Sequence, residues 1–128
     1  MRILLDTCTF MWIAWDSPEL SDKARRLFRD PANEVFLSAV SCWEIALKVG
    51  LGRLPLPVEP ERFIQAERER HGIASLALDE DAALLVRRLP SLHRDPFDRM
   101  LVCQAWAAGM TILTPDREIA GYPVRTVW

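Results

Sequence analysis

The residues with most chemistry in them are carboxylates, and their spacing is informative. Asp95-Pro96-Phe97-Asp98-Arg99, continuing to Ala105, sets two acids on the first turn of a helix whose remaining face is apolar. Asp95 stands where an N-cap belongs and Pro96 where the first helical residue belongs, so Asp98 falls at the third helical position. Three further acids occupy comparable places. Asp6 ends the apolar run Arg2-Ile3-Leu4-Leu5, Glu44 follows Ser41 at capping-box spacing, and Asp116 follows Thr114-Pro115. Singly, each has an ordinary explanation: a strand-end turn, half of a capping box, a helix-dipole partner, a Thr-Pro-Asp-Arg turn. Brought to one rim, they would raise one another's pKa unless a hard cation with oxygen ligands sat among them.

Whether they meet depends on the elements that carry them. Arg2 to Leu5, Glu34 to Ser38 and Thr111 to Thr114 read as buried strands, with Ile73 to Leu78 and Val124 to Val127 as shorter ones. Between them lie helical patterns: Phe10 to Trp15, Asp22 to Arg29 capped by Ser21, a helix capped by Ser41 and ended at Gly50 and Gly52, Glu61 to Arg70, a helix capped by Asp79, and the Asp95 helix ending at Gly109. In the Glu61 helix, Phe63, Ile64 and Ala66 are expected inward, with the run Glu67 to Arg70 outward. Strands alternating with helices predict a three-layer α/β/α fold around a central, mostly parallel sheet. In that architecture ligands bind outside the carboxyl ends of the strands. Asp6 and Asp116 occupy such ends, and helices that follow the strands start on the same side, so Glu44 and Asp98 are expected at the same cleft.

The totals fit this picture. A chain of 128 residues, 50% hydrophobic, suits one domain over residues 1–128. No repeat, low-complexity tract or composition break divides it. The net charge of −2 excludes a broadly basic nucleic-acid binder, so any such contact must be local. Lysine occurs only as Lys23 and Lys48; the remaining cations are arginines, which suits phosphate but is equally explained by coding bias. The Phe10 to Trp15 run is far short of a membrane span, and Arg2 to Leu5 is too little for a signal peptide, so a cytoplasmic location is expected. Cys8, Cys42 and Cys103 lack metal-type spacing and are expected to be reduced, buried and inert.

The ordered set of motifs resembles the PIN-domain nucleases, and within them the VapC-type toxins of bacterial toxin and antitoxin pairs. Leu4-Leu5-Asp6-Thr7 resembles the family's opening strand and first acid, and Ser38 to Ala46 its second-acid segment. Lys48 with Gly50 to Leu54 resembles the next stretch of one common subgroup. His93-Arg94-Asp95-Pro96-Phe97-Asp98-Arg99 is similar to that subgroup's third-acid motif, and Thr114-Pro115-Asp116 to the fourth-acid position. The resemblance implies a metal-dependent ribonuclease in which Asp6, Glu44, Asp98 and Asp116 hold Mg²⁺ or Mn²⁺, with Asp6 and Asp98 as the inner pair. It also implies an RNA substrate, a cognate antitoxin protein and a homodimer.

Around these four, Thr7, Ser41 and Thr114 offer hydroxyls for orientation or substrate contact, although capping accounts for Ser41 equally well. Asp95 reads as a supporting residue, since its N-cap role is complete without a metal. His93 reads as an exposed loop histidine rather than a general base. Arg94 and Arg99 either grip phosphate or neutralise the cluster. Trp12 and Trp15 are candidate contact residues, with core burial the simpler use of at least one ring. Other classes fare worse. A phosphoacceptor receiver needs paired acids after its first strand and a late lysine, and phosphatases of the Asp-x-Asp-x-Thr type need a second Asp where Cys8 stands. A glycine-rich phosphate loop is absent. The remaining rival is a catalytically inactive interaction module of the same fold.

Overall fold

The computed structural model describes residues 1–128. Its centre is the strand β1 (Arg2–Leu5), in which Ile3, Leu4 and Leu5 are wholly shielded from solvent. Such an unbroken apolar run requires cover on both faces of the sheet. The alternation of side chains supplies it. Ile3 and Leu5 join one core with Phe10, Ile13, Ala24, Phe28, Val35, Leu37 and Phe63, while Leu4 joins the other with Leu101, Val102, Ile112 and Ile119.

Four more strands complete the sheet: β2 (Glu34–Ser38), β3 (Ile73–Leu76), β4 (Thr111–Leu113) and β5 (Arg125–Val127). Their spatial order is β3-β2-β1-β4-β5, and every pairing is parallel. The expected α/β/α architecture is therefore present, and its sheet is parallel throughout. The strand order reverses between β1 and β4, which opens the crevice where such sheets receive ligands.

The helices begin close to their strands. Helix α1 (Thr7–Ala14) starts directly after β1 with Asp6 as its N-cap, three residues earlier than the sequence pattern suggests. Helix α2 (Asp22–Arg29) is capped by Ser21 as expected. Helix α3 (Ala39–Gly50) follows β2 with no loop, and its N-cap is Ser38. The expected capping box at Ser41 does not form, because Ser41 lies inside the helix and is buried. Helix α4 (Pro60–His71) turns Ala66 to solvent and Glu67 partly inward toward His71, a rotation from the expected face. Helix α5 (Glu80–Leu84) is capped by Asp79 but tightens into a 3₁₀ turn at Leu85–Arg88, leaving Leu84 exposed. Helix α6 (Pro96–Ala108) has the predicted Asp95 cap and ends on Gly109, whose φ of 65° is the left-handed conformation glycine adopts without strain. A short helix α7 (Arg117–Ala120) precedes β5.

One buried amide ties the strand ends to the helices that carry the acids. Gln104 of α6 accepts from the Ser38 hydroxyl through Oε1 and donates to the Ala77 carbonyl through Nε2, at 3.2 Å. Ser38 meanwhile accepts from the Val40 N–H at the start of α3. Gln104→Leu keeps the volume but strands the buried Ser38 hydroxyl, a loss expected to cost about 1–3 kcal/mol. Urea unfolding of the two proteins measures it, and an unchanged midpoint would show that the amide carries no structural weight.

Candidate functional site

Asp6 is fixed by the local structure on both sides. Its Oδ1 accepts from the Thr9 N–H at 2.7 Å, the capping bond of α1, and its Oδ2 accepts from the Thr114 hydroxyl just beyond β4. Thr9 in turn donates to the Leu113 carbonyl at 2.9 Å. The crevice between β1 and β4 is thus stitched by two threonines, with Asp6 buried in it. Burial pushes the Asp6 carboxyl above its ordinary range against the hydrogen bonds from Thr114 and Thr9, and Asp116 adds like-charge repulsion.

Asp98 lies on the first turn of α6 behind the Asp95 cap, whose Oδ1 accepts from the Phe97 and Asp98 N–H groups at 2.9 and 3.1 Å. Burial raises the Asp98 pKa from 3.8 to about 6, and Asp95, Asp116 and Asp6 push it the same way, while a hydrogen bond from His93 opposes them. Asp116 caps α7, accepting from the Glu118 N–H at 2.8 Å, and its own N–H donates to the Thr114 hydroxyl at 3.0 Å. Asp6, Asp98 and Asp116 therefore share one electrostatic environment.

Glu44 reaches the same rim differently. It lies in the second turn of α3, buried, with the Thr7 hydroxyl donating to Oε1 at 2.6 Å and Lys48 paired to Oε2 one helical turn on. Ser41 stands 2.9 Å from that Thr7 hydroxyl. The Cys8 thiol feels both halves of the cluster: the protein packed around its sulfur, then Asp6, Glu44 and Asp98, push it up to about 11, although the residue keeps an exposed edge. Cys8 is exposed, Cys42 half-buried and only Cys103 buried, so the expectation of three buried cysteines holds for one. An acidic rim and a high pKa still leave Cys8 a poor nucleophile.

Of the neighbours of Asp98, one departs from expectation. His93 is not an exposed loop residue: its side chain is 7% exposed and bonds Asp98 and Tyr122. Arg99 does not project freely, because Nη1 donates to the Pro90 carbonyl and the Tyr122 hydroxyl. Arg94 stays exposed, and with Ser91, Leu92, His93 and Arg99 it lines an open depression. Sequence reasoning missed Lys48 as the partner of Glu44, although Glu followed by Lys at i+4 is the signal of a favourable helical pair. Tyr122 carried no local signal. Trp12 is partly buried against Trp128, with ring centroids 5.7 Å apart, whereas Trp15 is 51% exposed.

No three His, Cys, Asp or Glu side chains close into a tight metal cage. The donor set is instead open, all oxygen and negatively charged, which fits a hard ion that keeps part of its water shell and takes one or two carboxylates directly. A cation there would also offset the like-charge repulsion that adds to burial in raising the Asp6 and Asp98 carboxyls.

A family model for the PIN domain matches residues 3–124. The chain belongs to the PIN domain family. This PIN domain is 34% identical over 58 residues to Ribonuclease VapC16 of Mycobacterium tuberculosis, a match that covers 45% of this chain and 41% of that protein. It therefore aligns with less than half of that relative. Its fold is similar to VapBC2 from Rickettsia felis bound to a DNA fragment from their promoter, with a TM-score of 0.74 at 13% identity over 99% of this chain and 98% of that one. DNA-bound VapBC from Salmonella typhimurium gives 0.68 at 20% identity over 99% and 97%. At such identities these two likenesses bear on the fold. No helix of this PIN domain is long and apolar enough to cross a membrane.

The carboxylate crowding has a measurable cost. Asp98 binds its proton more tightly in the folded chain than in the unfolded one, so its contribution to stability is full below pH 3.8 and lost as the pH rises through about 6. With divalent ions chelated at pH 7, Asp98→Asn should therefore be more stable than the parent by about 1–2 kcal/mol. Urea unfolding between pH 4 and 7 checks it: the two proteins should diverge as pH rises, and a destabilised variant at pH 7 would contradict the assignment.

Proposed function

We propose that residues 1–128 form a single PIN-like nuclease domain acting as a divalent-metal-dependent endoribonuclease, the toxin of a toxin and antitoxin pair. The observation that supports this reading is the gathering of Asp6, Asp98 and Asp116 about the β1/β4 crevice, where Asp116 acts against the ionisation of Asp6, and Asp116 and Asp6 against that of Asp98. The similarity to a protein named as a ribonuclease supports the activity. The similarity to structures named as VapBC assemblies supports a cognate antitoxin as partner. A cytoplasmic site of action accords with an RNA target.

Asp6 and Asp98 would be the inner ligands of Mg²⁺ or Mn²⁺, with Glu44 and Asp116 at the sides. When bound, the cation would make a water acidic enough to attack a phosphodiester and offset charge on the phosphoryl oxygens. The chain's own residues prepare that site. Thr114 fixes the plane of the Asp6 carboxylate, Thr7, itself bonded to Ser41, holds Glu44, and Asp95 secures the α6 turn that presents Asp98. Lys48 neutralises Glu44, leaving the uncompensated charge on the Asp6, Asp98 and Asp116 side. Arg94, exposed in the depression it lines with His93 and Arg99, would meet the RNA backbone, whereas Arg99 would serve the site from within. A second copy of the chain would find apolar surface at Trp43, which is 57% exposed and packs edge-on against Phe97 at 4.8 Å.

Asp6→Asn and Asp98→Asn should each lower Mg²⁺- or Mn²⁺-supported cleavage of RNA by at least about 100-fold with the far-UV spectrum unchanged. EDTA should abolish cleavage by the parent. Full activity in both variants, or cleavage that persists in EDTA, would refute the metal assignment. An inert parent with either ion, tested on total cellular RNA, would favour an interaction module.

A further inference from the structure

Three side chains stand in series behind Asp98. Arg99 Nη1 donates to the Tyr122 hydroxyl at 3.0 Å and to the Pro90 carbonyl at 2.9 Å, and its guanidinium lies over the Tyr122 ring at 5.9 Å. The Tyr122 Oη is 2.7 Å from His93 Nδ1, and His93 Nε2 is 3.2 Å from Asp98 Oδ2. Both intermediates are enclosed: Tyr122 is 3% exposed and the His93 side chain 7%. The Tyr122 ring belongs to the core that contains Leu101, Ile112 and Ile119, and packing accounts for it. Packing does not account for its hydroxyl, which a phenylalanine there would lack.

The polarity of the series is dictated by valence. A carboxylate only accepts, so the His93 nitrogen facing it must carry hydrogen. Arg99 only donates, so it occupies a lone pair of the phenol oxygen, and with one proton on the imidazole, at Nε2, the phenol's single proton turns toward Nδ1. Donation then runs one way, from Arg99 through Tyr122 and His93 to Asp98. Tyr122 and His93 each accept from one neighbour and donate to the next, an arrangement that fixes the imidazole tautomer and the ring plane. Glu118, 3.9 Å from the same Nε2, is 66% exposed and competes weakly.

We infer that His93, Tyr122 and Arg99 are positioning residues that grip one oxygen of Asp98 and so hold its other oxygen toward the cleft. The inference rests on the nuclease reading above, since it concerns how Asp98 is presented to a cation. It assigns a purpose to the histidine and arginine that flank the acids in His93-Arg94-Asp95-Pro96-Phe97-Asp98-Arg99, and to a tyrosine in the C-terminal segment. Without the grip, repulsion from Asp95 and Asp116 would swing the Asp98 carboxylate outward. Outer partners of this kind tune a ligand's orientation, and their loss costs about 10–100-fold in metal affinity.

The test uses the full chain and Mn²⁺ alone, with binding followed by electron paramagnetic resonance, and RNA cleavage measured in parallel. Tyr122→Phe and His93→Ala should each weaken Mn²⁺ binding by about 10-fold or more. His93→Gln, whose side-chain amide can still donate to Asp98, should recover most of that loss. The double variant should bind no worse than His93→Ala, because Tyr122 acts through His93. Should Tyr122→Phe fail to fold, the His93→Ala and His93→Gln pair decides the matter, as His93 lies in a loop. A parent that binds Mn²⁺ and cuts RNA while His93→Ala binds as tightly, or while His93→Gln is no better than His93→Ala, overturns the relay alone. A parent that neither binds Mn²⁺ nor cuts RNA overturns the nuclease reading and the relay with it.

Discussion

The crowding of carboxylates in a partly buried crevice between β1 and β4 is the constraint on which the rest of the molecule depends. Burial raises the pKa of Asp6 and of Asp98, Asp116 adds to both, and Asp95 and Asp6 add to that of Asp98. Three helix starts converge on this rim and share the burden. Asp6 caps α1, Asp95 caps α6 beneath Asp98, and Asp116 caps α7. Each acid therefore satisfies orphan backbone donors and sits at the positive end of a helix, if only a short one for α7. Caps of this kind serve the fold whether or not a ligand arrives. The same residues can thus persist at a site whose charge is unfavourable in the free protein.

Topology brings them together. In an all-parallel sheet every strand ends on one side, so acids as far apart in the chain as Asp6 and Asp116 can share a rim without any chain reversal. The order β3-β2-β1-β4-β5 then sends the chain away from β1 in one direction and returns it on the other, and the crevice lies where those directions part. The Thr114 to Asp6 and Thr9 to Leu113 hydrogen bonds close the floor of that crevice. Gln104 performs the corresponding task between β2, α6 and the segment after β3.

Much of this was legible because it is local or periodic. Apolar runs ending in acids marked the strands and their polar ends, and Pro96 with Gly109 bracketed α6. The features that failed to show depended on rotation or on distance. Ser38 and Ser41 lie three residues apart, both before a helical pattern, and only the absence of any loop after β2 makes Ser38 the cap and turns Ser41 inward. In α4 the apolar face is narrow, so a rotation of one position exchanged Ala66 for Glu67. The loop around His93 has no period to read, and its partner Tyr122 comes 29 residues later, from a different element. Polar networks of this sort are set by tertiary approach, and nothing in the spacing of their members announces them.

The two halves of the rim also differ in how their charge is met, and the difference bears on where a cation is needed. Glu44 has Lys48 one turn away on its own helix, a pairing that forms as soon as α3 forms. Asp98 has only the hydrogen bond from His93 and no lysine or arginine paired to it, and Asp6 has only hydroxyl and amide donors. An external positive charge would consequently gain most on the Asp6 and Asp98 side, where the folded chain supplies none. That asymmetry separates a carboxylate whose place is maintained by the protein from carboxylates whose repulsion is left standing. A fold selected only for stability would have little reason to keep the second kind.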